Sequence, residues 1–438
     1  MAKNNFPIIS ACLIVRNEEK SLAGCLRSIE NAVDEIVVVD TGSKDRTVGI
    51  AEEFGAKVFH FEWRDDFSAA RNFAKAQATG NWIFQIDADE ELYASDRSQV
   101  RSFAAREMAD IGLVAIHNLS VSDFGDNAPQ VHFLARIFRN LPDIYYENAV
   151  HENLKLTRTA VHSGVKIVHH GYNLSPQLLR EKRTRNGRIL ASQVAQEPDN
   201  PIPHFYLSSQ YLAEKKYSDA NRHARAACQL VDPAQAEFAH FYLMSLSNLC
   251  LIALELNDHV GVEKYSHQAL GVCKDYLPPQ FWLGTSLYRQ QKYDEAKEVF
   301  KGYVRKARAQ GQKKEVALYE HSSQTYLFQV MHMLGKIYRK AGATDLAAEM
   351  FQESVRLNPD FWIGYADLGY LSHETGNHAQ AAVFLNQAFK IAKASKQVHP
   401  GNSMLWQDFV NLSKSLMSLL KQNETTEPAP RPQRVCPK

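Results

Sequence analysis

The acidic run Ile86-Asp87-Ala88-Asp89-Glu90-Glu91-Leu92 carries the strongest chemical signal in the chain. Asp87 and Asp89 stand two residues apart where an apolar stretch ends, so both carboxylates can approach one divalent ion if the strand bends there. Hard oxygen donors suit magnesium or manganese. Such an ion can hold a diphosphate and take up charge as that group leaves. An acid-rich helix start, favourable without any ligand, would explain the same residues; their position after an apolar strand favours the first account.

Other polar residues sit at comparable places. Asp40 closes the apolar run EIVVVD and precedes TGSKDRT; it can accept a hydrogen bond from a nucleobase N–H, or simply form a strand-to-helix turn in which Ser43 or Asp45 caps the next helix. Glu18 and Glu19 follow the first apolar run and could bind ribose hydroxyls or favour a helix start. Arg71 and Asn72 lie in a helical stretch beginning near Phe67, and would touch phosphate or sugar if that helix faces a cleft. A histidine of the pairs His151-Glu152 and His169-His170 could add a metal ligand, and Glu152 could serve as general base toward an acceptor hydroxyl. Asn17, Arg136 and Arg139 are polar in apolar surroundings, and spacing alone assigns them no role.

These residues need elements to position them. Residues 9–15, 35–40, 56–61 and 81–91 read as strands, and 20–32, 45–55 and 67–80 as helices. Apolar strands alternating with amphipathic helices predict a parallel sheet covered on both faces, with chemistry at the C-terminal strand ends. Arg16-Asn17-Glu18-Glu19, Asp40 and Asp87-Ala88-Asp89 all fall there. Short aromatic and β-branched runs between about 110 and 172 predict further strands, and a long helix is expected over 175–196.

After Pro198, Pro201 and Pro203 the chain reads as almost entirely helical. Leu334, Gly335, Tyr338, Ala347, Phe351 and Pro359 have the spacing of a tetratricopeptide repeat. Leu368, Gly369, Ala381, Leu385 and Ala388 repeat it 34 residues on, and Leu283, Gly284, Leu287, Ala296 and Phe300 do so upstream. Leu207, Tyr211, Ala220 and Ala227 offer a weaker copy, and an irregular helix pair is expected over 235–274. Such pairs must stack to bury their apolar faces. A capping helix is expected over 402–422 and a disordered tail over 423–438. The division is thus residues 1–199, residues 200–422 and the tail.

Length and composition narrow the classes. The chain has 438 residues, with 45% apolar and 23% charged residues, and 50 Lys plus Arg against 49 Asp plus Glu. A formal charge of +1 argues against a nucleic-acid binder working by broad attraction. The six cysteines form no CxxC pair, which speaks against structural zinc or a disulfide framework. The first apolar stretch meets Arg16 too soon for a signal peptide or a membrane span, so a soluble cytoplasmic protein is expected.

The segments ACLIVRNEEKSLAGCLRSI, IVVVDTGSKDRT, DDFSAARNFAKAQATGNWIFQIDADEEL and AVHENL together resemble family 2 glycosyltransferases of the GT-A fold, over roughly residues 8–172. In texture the chain is similar to the bacterial members with C-terminal tetratricopeptide repeats, which include peptide S-glycosyltransferases acting on a bacteriocin cysteine. The resemblance implies a GT-A α/β nucleotide-sugar domain with a Rossmann-like sheet, followed by an all-α repeat domain. It also implies inversion at the anomeric carbon, a UDP-sugar as the favoured donor, and Mn2+ or Mg2+.

By the same resemblance, Asn17, Glu18 and Glu19 match the element near the nucleoside, and Asp40 the acid on the base. Arg71, Asn72 and Asp87 match the diphosphate elements, and Asp89 the direct metal ligand. His169 falls in a His-x-Gly-Tyr element expected near the metal. His151-Glu152 stands where a Glu-Asp pair usually supplies the base, and Asp40-Thr41 where many members have two acids. Glu152 would take the acceptor's proton while the nucleophile attacks opposite the leaving nucleoside diphosphate. The repeats offer a curved groove for a peptide or protein acceptor, or a surface for a homodimer. A nucleotidyltransferase of related topology and an inert repeat scaffold are the competing readings; no glycine-rich phosphate loop supports the former, and the retained acids and Arg71 oppose the latter.

Overall fold

The computed structural model describes residues 8–106, 109–118, 130–155, 158–170, 176–233, 239–310 and 326–394. The expected helix at 402–422 and the tail lie outside these residues. The described residues form two compact units, one ending at Asn248 and one running on from Leu249.

The first unit begins with β1 (Ile9–Val15), α1 (Leu22–Ser28), β2 (Glu35–Asp40), α2 (Thr47–Glu53), β3 (Lys57–His60), α3 (Phe67–Gln77) and β4 (Trp82–Gln85). Strands β1, β2 and β4 are largely apolar because both faces of the sheet are covered there, whereas the edge strand β3 leaves Lys57 and His60 exposed. Ile9, Ala11, Leu13 and Val15 pack with Leu22, Cys25 and Leu26 of α1 and Ala51 of α2. Cys12, Val37, Val39 and Ile83 pack on the opposite face with Ala74 of α3. Fully burying such a side chain stabilises the fold by about 1.5–3 kcal/mol. Helix α3 starts where it does because Asp66 accepts the Ala69 N–H at 2.9 Å.

The chain continues through β5 (Glu90–Leu92), α4 (Arg97–Arg106), β6 (Ile111–Asn118), β7 (Gln130–Arg139), β8 (Tyr146–Glu147), β9 (Asn153–Leu154) and β10 (Ala160–His169). One eight-stranded sheet has the order β3-β2-β1-β4-β7-β6-β10-β5, and β8 pairs with β9 apart from it. The parallel arrangement expected from the alternation of strands and helices holds for β3, β2, β1 and β4, and β10 is also parallel to β6. Strand β7 runs antiparallel to both β4 and β6, and β5 antiparallel to β10, so the sheet is mixed. Eleven residues join β6 to β7, fewer than the dozen or more that a crossover between parallel neighbours takes. Because β10 is parallel to β6, His169 ends up on the same sheet edge as Asp40 and Asp87.

Helices α5 (Pro176–Gln196), α6 (Pro201–Ala213), α7 (Tyr217–Leu230) and the first part of α8 (Ala239–Glu255) complete this unit. Asn200 caps α6 by accepting the Ile202 N–H at 3.0 Å, with Pro201 at the tolerant first position. Ile189 and Leu190 of α5 and Leu207 of α6 bury Val150, with Trp63, Phe67 and Tyr206 around them. That cluster binds α6 to the strand-rich part and carries the unit beyond the division at 199 read from sequence.

The second unit contains α9 (His259–Val272), α10 (Pro278–Arg289), α11 (Tyr293–Gln310), α12 (Leu327–Lys340), α13 (Thr344–Leu357), α14 (Trp362–Glu374) and α15 (His378–Ala394). The repeat spacing has a direct packing cause. A Cβ on Gly284 would lie 2.5 Å from Phe300, on Gly335 2.5 Å from Phe351, and on Gly369 2.6 Å from Leu385. In each pair a glycine on the first helix receives the large side chain sixteen residues on, and Ala296, Ala347 and Ala381 are fully buried in the same seams.

Candidate active site

The loop after β4 folds back on itself. The Asp87 N–H donates to Glu90 Oε2 at 2.9 Å, and the Glu90 N–H donates to the Asp87 carbonyl at 3.0 Å. Both Asp87 carboxylate oxygens are taken by guanidiniums: Oδ1 lies 2.9 Å from Arg71 Nη2 and Oδ2 2.7 Å from Arg136 Nη2. The same Arg136 nitrogen reaches Glu90 Oε1 at 2.9 Å, and Arg71 Nε reaches Glu152 Oε1 at 2.7 Å. The result is a continuous chain Glu90–Arg136–Asp87–Arg71–Glu152, with the Glu90 side chain only 2% exposed. Burial alone would push the Asp87 carboxyl up, but Arg136 and Arg71 outweigh it and hold Asp87 well below the usual carboxylate range. Burial raises Glu90 despite Arg136. Arg71 Nη1, Arg136 Nε and Tyr146 Oη are buried with no hydrogen-bond partner among the described residues.

Asp89 turns the other way. Its Oδ2 lies 3.3 Å from His169 Nε2, and His169 Nδ1 lies 2.8 Å from Asn118 Oδ1. An Nδ1–H donating to Asn118 fixes the ring and directs Nε2 at Asp89, the arrangement that orients metal-binding imidazoles. Burial would lower the His169 pKa, but the Asp89 hydrogen bond and the surrounding carboxylates raise it. Glu18, whose carboxyl is pushed up by burial and by the charges of Asp89, Asp45 and Asp87, faces the same acidic region.

A divalent cation fits this donor set. Asp89 and His169 offer one carboxylate oxygen and one imidazole nitrogen, with the Asp89 side chain 35% exposed. No group of three or more His, Cys, Asp or Glu suited to a metal occurs among the described residues. Two protein donors leave coordination positions for phosphate oxygens and water, as magnesium-type sites require. Asp87 differs from the sequence-level picture of two carboxylates on one ion, because both its oxygens already face arginines.

The nucleoside-side candidates form a second cluster, where the loop after β1 is tied to the loop after β2. Asn17, at φ 57°, donates its N–H to Ser43 Oγ at 2.9 Å and accepts the Lys44 N–H at 2.8 Å. The Glu18 N–H donates to Thr47 Oγ1 at 2.7 Å, and Glu19 Oε2 accepts the Arg46 N–H at 3.3 Å. Asp40 is buried and accepts the Gly42 and Ser43 N–H groups at 3.2 and 3.1 Å, with His60 Nδ1 3.4 Å away. The turn expected at Asp40 is therefore present. Ser43 serves Asn17 rather than capping α2, whereas Asp45 accepts the Thr47 N–H at 3.0 Å.

Arg71 and Asn72, adjacent in α3, serve different ends. Arg71 enters the charge chain. The Asn72 amide donates to the Tyr146 carbonyl at 2.9 Å and accepts the Tyr146 N–H at 2.8 Å, so both ends of it hold β8. His151 lies at φ 55° and stacks on Tyr206, with ring centroids 3.9 Å apart and planes at 9°. Its pKa is lowered by desolvation of the ring, against the opposing charge of Glu152.

Sequence reasoning did not assign Arg136, Glu90, Asn118, Tyr146 or Tyr206. Arg136 gave a signal, a cation inside the apolar run VHFLARIFR, but its partners lie 46 and 49 residues away. Arg139, flagged with it, pairs with Asp110 at 2.9 Å and lies over Trp82 outside the site.

Residues 10–157 match Glycosyl transferase family 2, and residues 280–308 and 328–361 match tetratricopeptide repeats. A TPR repeat-containing protein of Synechococcus elongatus is 46% identical over 144 residues, covering 33% of this chain and 34% of that protein. The SPbeta prophage-derived glycosyltransferase SunS of Bacillus subtilis is 27% identical over 270 residues, covering 60% of this chain and 63% of SunS. An uncharacterized glycosyltransferase of Rickettsia felis is 36% identical over 123 residues, covering 28% of this chain and 43% of that protein. The chain thus spans between a third and just under two thirds of the length of these relatives.

Proposed function

We propose that this chain, an N-terminal family 2 glycosyltransferase domain fused to C-terminal tetratricopeptide repeats, is an inverting, metal-dependent glycosyltransferase. It moves a sugar from a nucleoside-diphosphate sugar, a UDP-sugar favoured, to a nucleophile on a peptide or protein. The observation that carries this reading is the separation of the two acidic centres. Asp89 and His169 are paired and partly exposed, while Arg71 holds both Asp87 and Glu152.

Asp89 and His169 would hold Mn2+ or Mg2+, the imidazole nitrogen favouring manganese. When bound, that ion supplies Lewis-acid stabilisation of the departing diphosphate. The chain's own residues do the rest. Asn17, Glu18, Glu19 and Asp40 shape the nucleoside end. Arg71 and Arg136 keep Asp87 fixed, so the Asp87–Glu90 turn presents Asp89 in one orientation. Arg71 also pins Glu152 Oε1, which leaves Oε2 to accept the proton of the acceptor nucleophile. That nucleophile forms a bond to the anomeric carbon from the face opposite the diphosphate. The C–O bond to the diphosphate breaks, and its electron pair leaves with the nucleoside diphosphate.

The family match and the SunS likeness support a transferase, and the repeats support a peptide or protein acceptor. Residues 1–199 would carry the groups that touch the substrate, and 200–422 would include the acceptor contacts or a homodimer surface. No described helix is long and apolar enough to cross a membrane; a cytoplasmic location is part of the proposal.

The test is a screen of sugar nucleotides with Mn2+ and Mg2+, read as released nucleoside diphosphate. One donor should be turned over only with metal present, and Asp89→Asn should lower that turnover about 100-fold through lost metal affinity. Unchanged turnover in Asp89→Asn would overturn the assignment.

A further inference from the structure

We propose that Tyr206, on α6 and outside the matched glycosyltransferase segment, is a positioning residue for the His151–Glu152 turn. The first helix after the prolines is then part of the catalytic apparatus. This rests on the transferase reading, in which Glu152 takes the acceptor proton.

The turn from Asn148 to Glu152 cannot hold its own shape. Asn148 and His151 both adopt left-handed backbone, at φ 73° and 55°, without being glycine. Such residues cost about 1–3 kcal/mol each and persist only where their surroundings over-determine them. Three sets of contacts do so here. From α3, the Phe67 N–H donates to the Ala149 carbonyl at 2.8 Å and the Ser68 hydroxyl to the Asn148 carbonyl at 2.6 Å. In the middle of the turn, Val150 is buried against Ile189, Leu190 and Leu207. At the far end, His151 itself is met by the Tyr206 ring, 3.9 Å away and nearly parallel.

Tyr206 thus stacks on the residue before Glu152, while Arg71 holds the Glu152 carboxylate. Within the turn Asn153 Nδ2 also donates to the His151 carbonyl at 3.0 Å, and the contact that α6 adds at His151 is the Tyr206 ring. Without the ring, His151 loses the contact opposing its relaxation to ordinary backbone angles, and a relaxed His151 would re-aim Glu152. Tyr206 is itself supported within its unit by Phe205 and Phe241, at centroid distances of 4.9 and 6.1 Å.

The experiment compares full-length wild type with Tyr206→Phe and Tyr206→Leu. Phenylalanine keeps the stack; leucine keeps apolar volume, so the fold survives without the ring. The turnover readout is metal-dependent release of nucleoside diphosphate from the sugar nucleotide that the wild type uses. Tyr206→Leu should lower kcat about tenfold or more with KM for the donor unchanged, and Tyr206→Phe should stay within about threefold of wild type. A second readout is the His151 ring proton signal in NMR, shielded by the stacked ring in wild type and Tyr206→Phe. It should move downfield in Tyr206→Leu. Wild-type kcat per folded molecule in Tyr206→Leu, or an unmoved His151 signal, would overturn the proposal. A wild-type chain inert toward every sugar nucleotide would instead sink the transferase reading, and the His151 signal would still decide whether Tyr206 holds the turn.

Discussion

Arg71 Nε lies 2.7 Å from Glu152 Oε1, an ion pair joining residues 81 apart in sequence. Its importance comes from the rest of the guanidinium, whose Nη2 also holds Asp87 at 2.9 Å. One side chain, 8% exposed, therefore sets the position of carboxylates on both sides of the candidate site.

Replacing Arg71 by alanine should damage both sides at once. Asp87 would keep only Arg136, and Glu152 would lose the guanidinium that holds it. Breaking a buried pair on one side costs about 3–5 kcal/mol. Arg71→Ala should melt at lower temperature and release nucleoside diphosphate about 100-fold more slowly or worse. Arg71→Lys keeps the charge but lacks the fork that reaches two carboxylates, so it should recover stability better than turnover. Equal recovery of both would show that charge alone, and not shared geometry, is what Arg71 supplies.

Arg136 and Glu90 offer a cleaner measure of the buried chain, because their side chains are only 9% and 2% exposed. Arg136→Gln strands Glu90 in the interior and should lower the urea midpoint, by about 3–5 kcal/mol in stability. Glu90→Gln removes the stranded charge, so the double variant should be more stable than Arg136→Gln alone. A coupling energy of about 0.5–3 kcal/mol is expected from the four-variant cycle. Strict additivity would mean that the 2.9 Å contact between them does not contribute.

Local patterns were legible in the sequence, and long-range partnerships were not. The strands β1, β2 and β4 showed as apolar runs because both their faces are largely buried. The repeats showed because Gly335 and Phe351 must occur together for two helices to cross. Asp87 and Asp89 stood out as a short motif, but their divergence did not, since it depends on Arg71 and Arg136 arriving from α3 and β7. Strand direction in β6, β7 and β10 was hidden because aromatic and β-branched residues suit either direction. Asn72 looked like part of a ligand site beside Arg71, and only the fold reveals that its amide is spent on the Tyr146 backbone. Tyr206 was read as part of the helical region, and nothing local indicates the ring it meets.

Acid should weaken the fold partly through Glu35, far from the site. Burial pushes its carboxyl up, but hydrogen bonds from Lys57, Ser10 and Thr79 outweigh that and lower its pKa to about 2, against 4.5 ordinarily. A carboxyl depressed in the folded state contributes stability that is fully present above its unfolded pKa and is lost as pH falls through the folded one. The window here runs from about pH 4.5 down to about pH 2. Glu35→Gln should be less stable than wild type at pH 7, and the gap should close progressively across that window. Urea midpoints at several pH values would check this; a gap independent of pH would show that the ionised form of Glu35 is not what stabilises.

Two glycines in the repeat helices should respond to the same substitution with opposite sign. A methyl group placed on Gly302, inside α11, would meet no neighbour within 4 Å, so Gly302→Ala adds helix propensity without a clash. A gain of about 0.5–1 kcal/mol is expected. Gly335, inside α12, would place the same methyl 2.5 Å from two ring carbons of Phe351, a side chain that is itself fully buried. The ring cannot retreat without opening the seam with α13, and overpacking costs about 1–3 kcal/mol, more than the propensity gain. Gly335→Ala should therefore lower the melting temperature followed by helical circular dichroism, while Gly302→Ala raises it. If both variants raised it, the close approach of α12 to the Phe351 ring would not be the reason glycine recurs at this position of the repeats.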